Sequence, residues 1–135
     1  MGTGVCGSAV IRAADAMLRS LGGDEVSLLL PLAAMPGDVS GQLGLVDPGV
    51  EVVAISPVIA RDLATENIGP RRRVEFLVPA SGIADALSGH DFASAEAMIN
   101  AALGIGYQGE LFHIEGFVTE RFGGTAYLYR VVAVE

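Results

Sequence analysis

The last quarter of the chain, Gly109 to Val134 (GELFHIEGFVTERFGGTAYLYRVVAV), restricts the fold more than any other stretch. Strong β formers fill both arms: Phe112, Ile114, Phe117 and Val118 in the first, then Tyr127, Leu128, Tyr129, Val131 and Val132 in the second. Gly123-Gly124 lies between them, where the chain needs backbone freedom to reverse, so the stretch predicts two long strands in an antiparallel hairpin. Strict alternation puts His113 on one face with Leu111, Glu115 and Phe117, and Phe112 and Ile114 on the other.

Upstream, Ser8 to Leu21 repeats apolar residues at Val10, Ala14, Met17 and Leu21, with Arg12, Asp15 and Arg19 off that stripe, which predicts a helix. Ser8 is placed to cap its start and Gly22-Gly23 to stop it. Asp24 to Leu30 predicts a strand that ends at Pro31. Pro31 to Val50 holds three Pro and four Gly in twenty residues and predicts a long loop, the first candidate for a partner contact. Glu51 to Ala60 resumes a β pattern in which Pro57, lacking an N–H, marks an edge or a bulge. Asp62 to Pro70 is polar and closes on a Gly69-Pro70 turn. Arg72 to Pro79 predicts the next strand, with Val74, Phe76 and Val78 on one face. Ser81 is placed to cap a short helix ending at Ser88-Gly89. Ser94 is placed to cap a second one, with Ala95, Met98, Ile99 and Ala102 on one side.

This order has no repeating βαβ rhythm. It predicts an α+β fold: an antiparallel β-sheet or small open β-barrel with an N-terminal helix and two helices inserted before a C-terminal β-hairpin. The 135 residues match one domain, spanning 1–135, and 51% hydrophobic residues argue against disorder. No apolar run approaches the ~20 residues of a transmembrane helix, and no basic segment precedes the apolar patch near the N-terminus, so neither a membrane partner nor a secretory signal is expected. A cytoplasmic location follows.

Sixteen acidic residues face eight basic ones, all of them Arg, for a net charge of −8. That balance argues against sequence-specific or phosphate-driven nucleic-acid binding and against anionic membranes. Arg71, Arg72 and Arg73 form a local exception. They read either as a charged strand start that blunts an edge or as an ion-pairing contact to an acidic neighbouring subunit.

No motif carries chemistry. The lone Cys6 excludes an internal disulfide and reads as a small apolar residue. Two G-x-G-x-x-G matches, at Gly2, Gly4 and Gly7 and at Gly104, Gly106 and Gly109, lack the strand-to-helix context that would deliver a pyrophosphate to a helix N-terminus. His90, beside Asp91, reads as solvent-exposed or locally capping, and His113 as an ordinary strand histidine; no metal-ligand spacing and no nucleophile elbow occurs. Neither a cofactor nor a catalytic activity is expected.

In the second half, a β run (Val74 to Val78), short helical turns, a Gly-led strand (GELFHIEGF), an acidic tip with paired glycines (TERFGG) and a closing strand (TAYLYRVVAV) follow in order. This succession resembles the head-to-tail joining (connector, neck) proteins of long-tailed bacteriophages and prophages. GELFHIEG and FGGTAYLYR carry the resemblance at residue level, and the helical insertion from Ser81 to Leu103 departs from the family pattern. The resemblance implies a non-catalytic virion subunit, made in the bacterial host cytoplasm, whose partners are itself, in a homo-oligomeric ring, and other phage head or tail proteins. DNA would cross the lumen, which an acidic wall would not trap. A ring requires two different complementary patches per subunit. The candidates are the loop from Pro31 to Val50, with Asp38 and Asp47, and the Arg71, Arg72 and Arg73 cluster. The alternative is a small ligand-binding or regulatory domain of a bacterial cytoplasmic protein, with a pocket enclosed by sheet and helices.

Overall fold

A computed structural model describes the backbone of residues 2–31, 50–63 and 71–135, with side chains from residue 9 onward within those spans. The elements in chain order are α1 (Gly2–Ser20), β1 (Asp24–Pro31), β2 (Val50–Asp62), β3 (Arg73–Pro79), α2 (Ala80–Ser88), α3 (Ala95–Ala101), β4 (Gly104–Tyr107), β5 (Glu110–Phe122) and β6 (Thr125–Val134). The fold is α+β and every strand pair is antiparallel, as the sequence predicts.

The sheet is not open. Its strands close into a barrel in the order β1-β2-β3-β6-β5-β4. Closure depends on β4, which pairs with β5 through Ile105↔Phe112 and with β1 through Leu28↔Ile105 and Leu29↔Gly104. A sheet closed on itself has no unpaired edge to protect. β4 (GIGY) is only four residues long and its β formers Ile105 and Tyr107 alternate with glycines, so the sequence alone predicts the hairpin only from Gly109. Gly104 is required by packing: a Cβ there would lie 2.6 Å from the Phe112 carbonyl oxygen. Gly104→Ala therefore forces the β4–β5 seam apart. It is expected to destabilise the chain by about 1–3 kcal/mol, the cost of overpacking, read as a drop in the urea midpoint.

Alternation fills the interior. Val26, Leu28 and Leu30 of β1, Val74, Phe76 and Val78 of β3, and Tyr129, Val131 and Ala133 of β6 all point inward and are buried. β2 bends at Pro57, as the sequence predicts for that residue: the register with β1 shifts between Val26↔Ile55 and Asp24↔Val58, and from Ile59 onward β2 pairs with β3. One strand thus serves both sides of the barrel.

The hairpin turn is also as predicted. Gly123 (φ 59°) and Gly124 (φ 82°) are both left-handed, matching the right-handed twist of their strands. A second turn of the same kind, Gln108 (φ 52°) and Gly109 (φ 78°), joins β4 to β5. The predicted facing of β5 fails beyond Ile114. A bulge inserts Glu115 between Ile114↔Ala133 and Gly116↔Val132, which flips the strand. Phe117 consequently joins the inner face, edge-on to Tyr129 at 6.4 Å, while Leu111 and His113 stay outside.

The helices cover the barrel. α3 is capped by Ser94, whose side chain accepts from the Ala97 amide at 3.1 Å, and buries Met98 and Ile99 as predicted. α2 starts after Pro79 without a side-chain cap. Ser81 lies inside it and donates instead to Asp15 Oδ1 of α1 at 2.9 Å, so it ties two helices together rather than starting one. Ser8 is likewise not a cap, because α1 already runs from Gly2. The contact of α1 with the barrel centres on Ala14 and Leu18, which rotates the predicted apolar stripe and leaves Met17 and Leu21 exposed. Where Ile83 and Ile99 meet the strands, a cavity of only about 10 Å³ remains.

Candidate assembly surfaces

Charge on the outer barrel wall is organised across strands. Glu75 of β3, 5% exposed, is the buried acid among the described residues. It points outward and is held by Arg61 of β2 and by Arg130 of β6 at 3.1 Å; Arg130 also reaches Glu120 of β5 at 3.4 Å. A chain of alternating charge thus crosses four neighbouring strands. Two guanidinium partners offset the desolvation of Glu75, and the carboxylates of Glu75 and Glu120 raise the pKa of Arg130 by accepting its hydrogen bonds.

The arginine cluster predicted as an interface is partly turned inward on its own chain. Arg73 makes a bidentate pair with Glu115 at 2.8 and 2.7 Å, using the bulged residue. Arg72 donates to Asp62 at 2.8 Å, lies 3.7 Å from Glu110 and stacks over the Phe112 ring at 5.7 Å; its bond to Asp62 raises its pKa. These pairs link β3 to β5 and to the end of β2. Arg71 is exposed, and no ion pair of Arg71 occurs among the described residues. Asp38 and Asp47 lie outside the described residues.

His90 is not solvent-exposed, although its capping role is as predicted. Its Nδ1 faces the Ala86 carbonyl at 2.6 Å and its Nε2 faces Glu51 of β2 at 2.7 Å. Among the described residues no group of three or more His, Cys, Asp or Glu could hold a metal ion. No helix there is long and apolar enough to cross a membrane.

Two surfaces that expose large apolar residues were not foreseen. The first is a groove of about 280 Å³ between α1 and the β5–β6 hairpin, lined by Val10, Ala13, Ala14, Met17, Phe122 and Tyr127. Phe122, the last residue before the paired glycines, projects there with 66% of its surface exposed. The second is a shallow hollow of about 470 Å³ on the outside of β1, β2, β4 and the start of β5, where Leu29, Val52 and Leu111, together with Glu25, Ser27, Gln108 and Glu110, surround the bare backbone of Gly106. Val52 is 61% exposed and Leu111 46%.

The two surfaces use different parts of the barrel, the groove under α1 at the tip of the hairpin and the hollow over β1, β2, β4 and the start of β5. α1 packs chiefly on β6, and in the strand order β6 stands three strands from β1 in either direction around the ring. The available sequence signal is weak: an aromatic directly before a two-residue turn, and a valine on the outward phase of a strand. Both look like ordinary strand residues until the inward phase is known. No family model, no curated protein and no solved structure matches the chain.

Proposed function

We propose that this chain is a non-catalytic structural subunit that assembles head to tail into a closed ring. Following the sequence resemblance, we place that ring at the neck of a phage or prophage virion, between portal and tail. The observation that carries the reading is a pair of unlike surfaces on different parts of the barrel, an apolar groove at the hairpin tip and a hollow with exposed Val52 and Leu111 among polar residues. A two-fold dimer uses one patch twice, whereas a ring needs two different patches that fit each other. Exposed apolar clusters on a folded domain mark contact surfaces. Among the described residues the barrel interior is filled, its cavity of about 10 Å³ having room for no more than about one water, which favours assembly over a ligand enclosed within the barrel.

In this arrangement the hairpin tip with Phe122 enters the hollow over β1 and β4 of the next subunit. Arg71 is the cluster member that contacts an acidic neighbour, since Arg72 and Arg73 are engaged within the chain. The other contacts are with phage head and tail proteins, and DNA crosses the lumen without sequence-specific recognition.

Sedimentation velocity over rising concentration, with negative-stain imaging of the heaviest fraction, tests the reading. The expected result is one discrete closed species. Arg71→Glu is expected to lower its yield while leaving the thermal midpoint unchanged, because a substitution at an exposed position with no ion pair among the described residues shifts stability by no more than ~0.5 kcal/mol. A chain that stays monomeric at all concentrations, including with portal and tail proteins present, overturns it.

A further inference from the structure

The contact between His90 and Glu51 takes no part in the assembly surfaces, yet it joins two distant parts of the fold. α2 lies along β2 and touches it closely at one end, where a Cβ on Gly82 would sit 2.8 Å from Ile55 Cγ2. At the other end, His90 follows the C-terminus of α2 and reaches Glu51 near the start of β2. The α2–α3 cover is therefore pinned at two points, one by packing and one by an ion pair.

Both ring nitrogens of His90 face acceptors. The Ala86 carbonyl at 2.6 Å and the Glu51 carboxylate at 2.7 Å each need an N–H, and neutral imidazole has only one. Only imidazolium satisfies both contacts. In the neutral form a nitrogen lone pair must face either a carbonyl or a carboxylate oxygen. The side chain is 17% exposed, so water cannot fully replace the missing bond.

We propose that His90 is a proton-controlled latch: as imidazolium it clamps the α2–α3 cover to β2, and loss of its proton releases that end of the cover. Ala86 first and Glu51 second raise the His90 pKa by accepting hydrogen bonds, against a smaller opposing effect of burial. The other charged groups near it are Asp85 and Asp91 on its own segment, with Glu96 of α3 turned away to Arg121. The sign follows from linkage. A folded pKa above the ordinary value of ~6.5 means that the latch is fully closed below that value and opens as pH rises through the folded one. Released, the cover loosens from a core to which Ile83, Ala86, Met98 and Ile99 contribute.

The test needs only the intact chain. Ring-nitrogen NMR of His90 is expected to show both nitrogens protonated at pH 6 and a titration midpoint above that of histidine in a blocked peptide. Amide exchange, corrected for its intrinsic pH dependence, is expected to show protection of residues 80–101 falling about tenfold through that midpoint, as for one lost charge-assisted hydrogen bond. Protection in β3 and β6 should stay constant. In Glu51→Gln the midpoint falls and the protection step shrinks. A wild-type midpoint at or below the peptide value overturns the latch, as does a full protection step surviving in His90→Gln.

Discussion

Phe122→Glu and Val52→Glu are each expected to leave the subunit folded and monomeric at concentrations where the proposed ring assembles from the wild type, and an equimolar mixture of the two is expected to form heterodimers and nothing larger. Each variant destroys one of the two proposed surfaces and keeps the other. The Val52→Glu subunit retains an intact hairpin tip and the Phe122→Glu subunit an intact hollow, so the mixture contains one functional contact per pair and no way to continue the ring. The size of the effect follows from what the contact buries. Losing a buried Phe side chain forfeits ~1.5–3 kcal/mol, and a carboxylate without a partner in the same place adds a desolvation cost. About 3 kcal/mol already weakens the contact more than 100-fold. Because both positions are exposed in the single subunit, folding is not the confounding variable. Sedimentation velocity separates the outcomes. A tip-to-tip dimer would instead leave Val52→Glu identical to wild type and make the mixture no heavier than its components, which would falsify head-to-tail assembly.

Reversing the whole arginine cluster is a poorer experiment for a reason visible only in the fold. Arg72 and Arg73 pair with Asp62 and Glu115, so glutamate at either position places two carboxylates together at the barrel seam and disturbs folding along with assembly. In sequence, Asp62 precedes its partner Arg72 by ten residues and Glu115 follows Arg73 by 42. No local pattern announces either pair.

The same contrast separates what was legible in the chain from what was not. The turn at Gly123-Gly124, the bulge at Pro57 and the Ser94 cap are local devices, set by left-handed backbone, a missing N–H and a side-chain oxygen three residues from its donor. Each could be read from a few residues. Barrel closure could not, because β4 is a four-residue strand interrupted by glycine and fixed by its neighbours, and Gly104 resembles a helix terminator until Phe112 is seen against it. The facing of Phe117 was lost to a single inserted residue, Glu115, since one extra residue inverts everything downstream in a period of two. The two surfaces depend on that phase, and also on how far α1 is rotated about Ala14 and Leu18. They could not be named before the three-dimensional phase of each element was fixed.

Phe76→Ala is expected to cost about 3–5 kcal/mol, the range for deleting a fully buried aromatic side chain. Against a domain stability of ~5–15 kcal/mol, that leaves the chain close to unfolding at moderate temperature. Phe76 projects from β3 into the centre of the barrel and meets Phe112 of β5 edge-on at 5.7 Å and Tyr107 of β4 edge-on at 5.5 Å. β3 pairs with neither β4 nor β5, so these ring contacts span the interior between strands that share no backbone hydrogen bonds. Each edge-on pair adds ~0.5–1.5 kcal/mol beyond the area it buries. The void left by alanine has little chance to collapse, because the surrounding positions belong to a closed ring whose circumference is fixed by its ladders. Urea unfolding followed by tyrosine fluorescence gives the midpoint, and Phe76→Leu, which keeps most of the volume, should lose clearly less. The loss should also appear unevenly. β4 has the shortest ladder of the barrel, with three register pairs to each neighbour, so exchange of the Ile105 and Tyr107 amides should rise before that of β6. A cost below ~1.5 kcal/mol, or uniform loosening of all strands, would mean that backbone pairing and not the aromatic trio holds the barrel closed.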